Sequence, residues 1–330
     1  MTSRGVGSLW SGQILRTLAW SSQTPSVAVL VADGAAQALF HFRLLGPPAV
    51  PSRFTVGRMP WAAVADCRLH PGGSLPGRLF VGGSSDRWRT EAVRAAAYAV
   101  AERVGDRRVL VGFRNIPLED LDAFTTAGAV SWAATPEMVI ENQWTGTEQY
   151  LRAMGRKQRS EVRRIERRLA EIPGLSVQLE PYVPVDEASR LLAAVHRRRR
   201  PRWWVFPPAP VEYFEQLALC SDVSFIVYRR EGRLAAFTML HDDGTDLVMS
   251  VFGQADAAEG GRAGFYLDMF HRAAIHLVEN GRRKLSLGKG MQQVKQRFGA
   301  EPQPQFLVLN RPSSADVPRR GSVRRYRRAG

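Results

Sequence analysis

Three of the four lysines in this 330-residue chain, Lys284, Lys289 and Lys295, lie within residues 281–300, GRRKLSLGKGMQQVKQRFGA. Lys157 is the fourth, and the rest of the 46 basic residues are arginines. A chain that otherwise avoids lysine and then clusters it invites a functional reading. Solvated surface charge is the competing reading, above all for Lys284 and Lys289. Residues 284–287 read as a strand, Gly288 and Gly290 as a turn, and residues 291–298 as a short helix closed by Gly299. Met291, Val294 and Phe298 have helical spacing and form the expected packed side, with Lys295 on its flank, presented to a ligand.

Further chemistry-bearing residues lie upstream. Gly260, Gly261, Arg262 and Gly264 precede a helix over 265–279, and free N–H groups at a helix start attract anions. Residues 148–171 read as one long helix, capped by Thr145 with Glu148. Its inner stripe is Leu151, Met154, Val162, Ile165 and Leu169. Its other side carries Arg152, Arg156, Lys157, Arg159, Arg163, Arg164, Arg167 and Arg168. Such a face is either solvated or meets phosphates, in which case binding weakens steeply with salt. His196 precedes Arg197, Arg198, Arg199 and Arg200, and Trp203 and Trp204 come next. Arginines beside indoles suit stacking on bases with phosphate pairing, or else the indoles are core and the arginines solvated. His196 is a candidate acid–base group or a structural histidine.

The elements that must position these groups follow from periodicity. Strands are expected at 26–32, 37–45, 109–113, 129–134 and 138–143, with helices at 90–104 and 117–127. A second set begins with the 148–171 helix and continues with a strand at 175–179 and helices at 186–199 and 211–219. An antiparallel meander over 223–252, the 265–279 helix and a strand at 305–309 complete it. Domains are therefore expected at 1–144 and 145–310, with a flexible basic tail at 311–330. The net charge of +15 favours polyanionic partners. Cys67 and Cys220 offer neither metal-ligand spacing nor a disulfide framework, so no metal and a reduced, cytoplasmic setting are expected. Gln13 and Arg16 interrupt any signal-like core, and no apolar run approaches a membrane span, so no membrane association is expected.

The second half resembles the GNAT acyltransferase superfamily, and within it the Fem-type aminoacyl-tRNA-dependent transferases and their bacterial acyltransferase relatives. The resemblance is carried by YLRAMGRKQRSEVRRIERRL (150–169), GRLAAFTMLHDDGTDLVMSVFG (232–253) and LGKGMQQVKQRFGA (287–300), most specifically by Lys295 to Gly299. It implies an α/β (α+β) fold of two tandem GNAT-like domains, each a mixed, mostly antiparallel splayed sheet flanked by helices. It also implies transfer of an aminoacyl group from tRNA to a small-molecule amine, as in antibiotic biosynthesis, by a monomer or weak dimer without a bound cofactor. Lys295 and His196 are then the catalytic candidates. Gly261, Arg262, Gly264, Lys289 and Arg297 would hold donor phosphate. Arg156, Lys157, Arg159, Arg163, Arg164, Arg167 and Arg197 to Arg200 would hold tRNA, and Trp203, Trp204 and Tyr266 the acceptor. An acyl-CoA-dependent N-acyltransferase and a non-catalytic RNA-binding module are the alternatives. The coenzyme A pyrophosphate loop of the superfamily departs from its usual pattern here, reading Glu259 to Phe265.

Overall fold

A computed structural model describes residues 8–21, 26–45, 64–67, 77–82, 85–104, 109–125, 129–199, 211–312 and 323–324. The chain runs α1 (Gly12–Ser21), β1 (Ser26–Asp33), β2 (Ala36–Leu45), β3 (Val64–Cys67), β4 (Arg78–Val81), α2 (Asp86–Val104), β5 (Leu110–Pro117), α3 (Leu121–Phe124) and β6 (Val130–Glu141). It continues with α4 (Thr147–Ala153), α5 (Arg156–Ala170), β7 (Leu175–Glu180), α6 (Val185–Arg199), α7 (Val211–Leu217), β8 (Val223–Arg230), β9 (Arg233–Asp242) and β10 (Asp246–Gln254). The last elements are α8 (Ala263–Glu279), β11 (Lys284–Lys289), α9 (Gln292–Gln296), β12 (Glu301–Asn310) and β13 (Val323–Arg324). Two compact units result, one built mainly on 18–135 with 304–330, the other on 136–303 with 7–17.

In the first unit β1 and β2 form an antiparallel hairpin, β3 pairs β2 antiparallel and β5 parallel, and β12 closes against β5. Ala92, Val93, Ala96, Ala97 and Val100 of α2 recur at helical spacing and are buried against Phe40, Phe42 and Phe113 of the sheet. Small alanines let the helix lie close to the bulky strand residues. Within the segment expected as a tail, Val323 and Arg324 pair with Val31 and Leu30 of β1.

The second unit has a sheet in the order β6-β11-β10-β9-β8-β7. Alternate residues of its strands face two layers. Met138, Ile140, Leu247, Met249, Leu285 and Leu287 pack beneath α4, α5 and α8, around Phe265, Met269 and Phe270. On the opposite face α6 lies over β9 and β10, and Phe214 of α7 meets Phe237 of β9 edge-on at 5.7 Å.

Four local expectations are corrected. The helix foreseen over 148–171 is two helices, because Met154 and Gly155 are extended. Side chains replace the lost backbone bonds there: Gln158 Oε1 accepts from Gly155 N at 2.7 Å. Arg159 Nη1 donates to the carbonyls of Arg152 and Met154 at 2.9 and 2.7 Å. The partner of the Thr145 backbone N–H is Gln149, at 2.7 Å, while Glu148 pairs with Arg152. The strands foreseen at 129–134 and 138–143 are the single β6. Pro136 is tolerated because the ladder with β11 begins only at Glu137. The helix foreseen at 117–127 is a 3-10 turn (Leu118–Asp120) followed by the one-turn α3.

Candidate active site

β10 and β11 run parallel but are paired only from Asp246 to Val248 against Lys284 to Ser286. Beyond that point β10 continues to Gln254 and β11 to Lys289 without a shared ladder, so the strands part. The register between Met249 and Phe252 shifts against β9, placing a bulge at the opening. Ser250, the residue two beyond the last pair, keeps its Oγ buried without a hydrogen-bond partner among the described residues. A sheet that forks in this way exposes strand backbone and side chains to a bound molecule.

The turn that ends β11 is held by Lys295. Its side chain is 2% exposed, and Nζ donates to the carbonyls of Gly288 and Lys289, both at 3.0 Å. Gly288 and Gly290 take φ of 70° and 75°, the left-handed region such a tight turn needs. The Phe270 ring lies 5.7 Å from the ammonium. This departs from the expected packing. Met291 is 51% exposed, and Lys295, not Met291, faces inward with Val294 and Phe298. The reason is that Met291 is itself left-handed at φ 54° and precedes α9, so the helical spacing begins after it.

Glu137 lies on β6, the strand on the other side of β11 from the fork, and no motif pointed to it. It is opposite Lys289 in the β6–β11 register, and its carboxylate accepts a hydrogen bond from Ser286 Oγ. Burial pushes this carboxyl above the usual carboxylate range. The Ser286 hydrogen bond and the charges of Lys284, Lys289 and Lys295 oppose that shift without cancelling it. The available signal was a charged residue directly before the apolar run Met138 to Ile140, in a chain whose lysines cluster elsewhere.

The glycine turn before α8 is built differently from a free anion cradle. Gly261 N donates to Asp256 O at 2.9 Å, so that N–H is engaged within the turn. A side chain at 261 would meet Ala255 O at 2.0 Å, which explains the glycine. Arg262 is exposed at the N-cap, and Gly264 lies beside Ile165 and Leu169 of α5, where a Cβ would make ordinary contacts. The loop is laced to α6: Arg190 pairs with Glu259 at 3.2 Å, and Arg198 with Asp256 and the Gln254 carbonyl.

The basic helix supplies the third feature. A cleft of about 760 Å³ is lined, among the described residues, by Arg156, Arg159, Ser160, Arg163, Glu166 and Arg167 of α5. On the same helix Glu161 is bridged by Arg297 at 3.3 Å and Arg164 at 3.7 Å, which ties α5 to the segment just after Lys295. Lys157 and Arg197 are exposed. His196 is half-buried on α6 with Nδ1 shielded from solvent. Tyr266 stands between Phe252 and Phe270, with centroids at 4.8 and 4.6 Å. Arg200, Trp203 and Trp204 lie outside the described residues, as does the Arg199 side chain.

The acetyltransferase (GNAT) domain family matches residues 156–296, the span from α5 through the forked strands to α9. That span is similar to a GNAT domain. Solved structures agree on the fold over nearly the whole chain. The C-terminal domain of a putative lysylphosphatidylglycerol synthetase from Agrobacterium fabrum is 15% identical, with a TM-score of 0.57 over 94% of this chain and 93% of that one. L-PGS from Bacillus licheniformis is 13% identical, with a TM-score of 0.56 over 96% and 99%. FemX is 11% identical, with a TM-score of 0.56 over 88% and 90%. No curated protein sequence matches the chain. Among the described residues no group of histidine, cysteine and acidic side chains could hold a metal, and no helix is long and apolar enough to cross a membrane.

Proposed function

We propose that the protein transfers an aminoacyl group from aminoacyl-tRNA to the amine of a small-molecule acceptor, with donor and acceptor meeting at the fork. The observation that carries this reading is the α5 cleft, where four guanidinium groups gather on a helix tied to the fork through Glu161 and Arg297. Guanidinium groups spaced along one groove follow a phosphate backbone, and the net charge of +15 supports the same partner. The ester of aminoacyl-tRNA is already activated, so the protein's work is to position it and to stabilise charge.

In this reaction the acceptor nitrogen attacks the ester carbonyl at the fork, and the ribose hydroxyl leaves. Lys295 acts as a positioning residue, because two of its donors are committed to the turn carbonyls; it shapes the 288–290 backbone and keeps positive charge beneath it. Half-buried Lys289, opposite Glu137, and exposed Arg262, at the start of α8, would meet donor phosphate.

The family description itself favours a second reading, an acyl-CoA-dependent N-acyltransferase using the same fork. Transfer of radiolabel from a charged tRNA pool into a small-molecule extract separates the two. RNase-sensitive transfer that acetyl-CoA cannot replace is the expected result. Undiminished turnover of acetyl-CoA after RNase treatment would establish the second reading and remove the first.

A further inference from the structure

We propose that Glu137, held by Ser286 and facing Lys289 across the β6–β11 ladder, is the proton acceptor for the incoming amine and the proton donor to the leaving group. This rests on acyl transfer at the β10–β11 fork, but not on the identity of the donor.

Position comes first. Met138 and Ile140 of β6 and Leu285 and Leu287 of β11 point into the core beneath α8, so the neighbouring Glu137 and Ser286 point to the opposite, α6-facing layer. Ser250 of β10, its Oγ buried without a hydrogen-bond partner among the described residues, lies in the bulge just beyond the last β10–β11 pair. Glu137 therefore shares a face with Ser286, the last residue of β11 that pairs with β10, at the point where those strands separate. Glu137 is half-buried.

Chemistry follows from its surroundings. The charged groups that act on Glu137 are Lys284 and Lys289 of β11 and Lys295 of α9, with the Ser286 hydroxyl bonded to it directly. Burial outweighs these cations, so the carboxylate is a stronger base than an exposed glutamate while the lysines keep the proton transfer reversible. In the step itself an N–H proton of the acceptor passes to a Glu137 oxygen. The nitrogen lone pair forms the C–N bond to the donor carbonyl carbon, and the C–O bond of the ester breaks. The departing oxygen takes the proton back from the Glu137 carboxyl. Amine and ester become amide and alcohol with no other reactant, and a thioester would release a thiol in the same way.

The test compares wild type, Glu137→Gln and Ser286→Ala in the full chain, with charged tRNA and with acetyl-CoA as donors. Ethylamine and trifluoroethylamine serve as acceptor probes. Glu137→Gln is expected to lower kcat about 10²-fold or more with ethylamine, with donor KM little changed. The loss should shrink with trifluoroethylamine, which is neutral at assay pH and needs less help, and the limb of the pH–rate profile assigned to the base should disappear. Ser286→Ala should shift that limb rather than abolish it. Wild-type rate and profile in Glu137→Gln on the working donor would overturn the proposal. Turnover on acetyl-CoA alone would instead remove the tRNA reading and leave the Glu137 comparison decisive on that donor. Absence of wild-type turnover on both donors would remove both ideas. Thermal melts of each variant separate lost folding from lost chemistry.

Discussion

The Lys295 ammonium reaches back to the carbonyl of Gly288, 3.0 Å away, and with its second bond to Lys289 it pins the turn where β11 leaves the sheet. A cation buried to this degree needs such partners, and those carbonyls, with the Phe270 ring, stand in for its water. Lys295→Met keeps much of the side-chain length and removes the donors, leaving two carbonyls without their partner. An unsatisfied buried acceptor costs about 1–3 kcal/mol, so a clear loss of stability by chemical denaturation is expected, together with loss of transfer activity. An unchanged denaturation midpoint would mean that the turn does not depend on the lysine.

The Glu137 carboxyl has a folded-state pKa above its unfolded value, with burial the largest cause. The native state then binds more protons than the unfolded state between those two values. Its contribution to stability is therefore fully present below the unfolded value and is lost as pH rises through that window. Glu137→Gln retains an acceptor for Ser286 and removes the buried charge. Its melting temperature should match or exceed that of wild type at neutral pH and vary less with pH above the usual carboxylate range. Greater destabilisation of the variant at neutral than at acidic pH would contradict the sign.

The arginines of α5 divide by their contacts. Arg159 caps the end of α4 through the carbonyls of Arg152 and Met154, whereas Arg156 and Arg163 line the cleft without such backbone bonds among those described. Arg156→Ala with Arg163→Ala should leave the melting temperature nearly unchanged and weaken tRNA binding. The slope of log affinity against log salt should fall by roughly one per arginine that contacts phosphate. Arg159→Ala should lower stability as well. Binding of tRNA that is indifferent to the double variant would place the RNA elsewhere.

Gly261→Ala tests the turn before α8. The added carbon would meet the Ala255 carbonyl oxygen at 2.0 Å, so backbone must move. Overpacking of this kind costs typically about 1–3 kcal/mol, and displacement of the α8 start should also raise donor KM. A wild-type melting temperature and KM would show that the turn adapts freely.

By itself, the sequence determined the order of most strands and helices in both halves, the one-sided charge of α5 and the meander over 223–252. Each is written in a local period of 2 or 3.6 residues over several turns or alternations. It also located the lysine-bearing segment, because a residue type rare in this chain is concentrated there. The register of α9 was beyond it: a five-residue helix has too few turns to define a face, and a left-handed Met291 resets the spacing so that Lys295 turns inward. The break at Gly155 depends on side-chain bonds from Gln158 and Arg159 that compete with helical backbone bonds. Glu137 and Ser286, 149 residues apart in the chain, meet only through strand pairing. Their contact depends on the β6–β11 ladder and its bulge, and pairing between distant strands leaves no period in the sequence. Only the tertiary structure placed that carboxylate among the lysines and opened the sheet beside it.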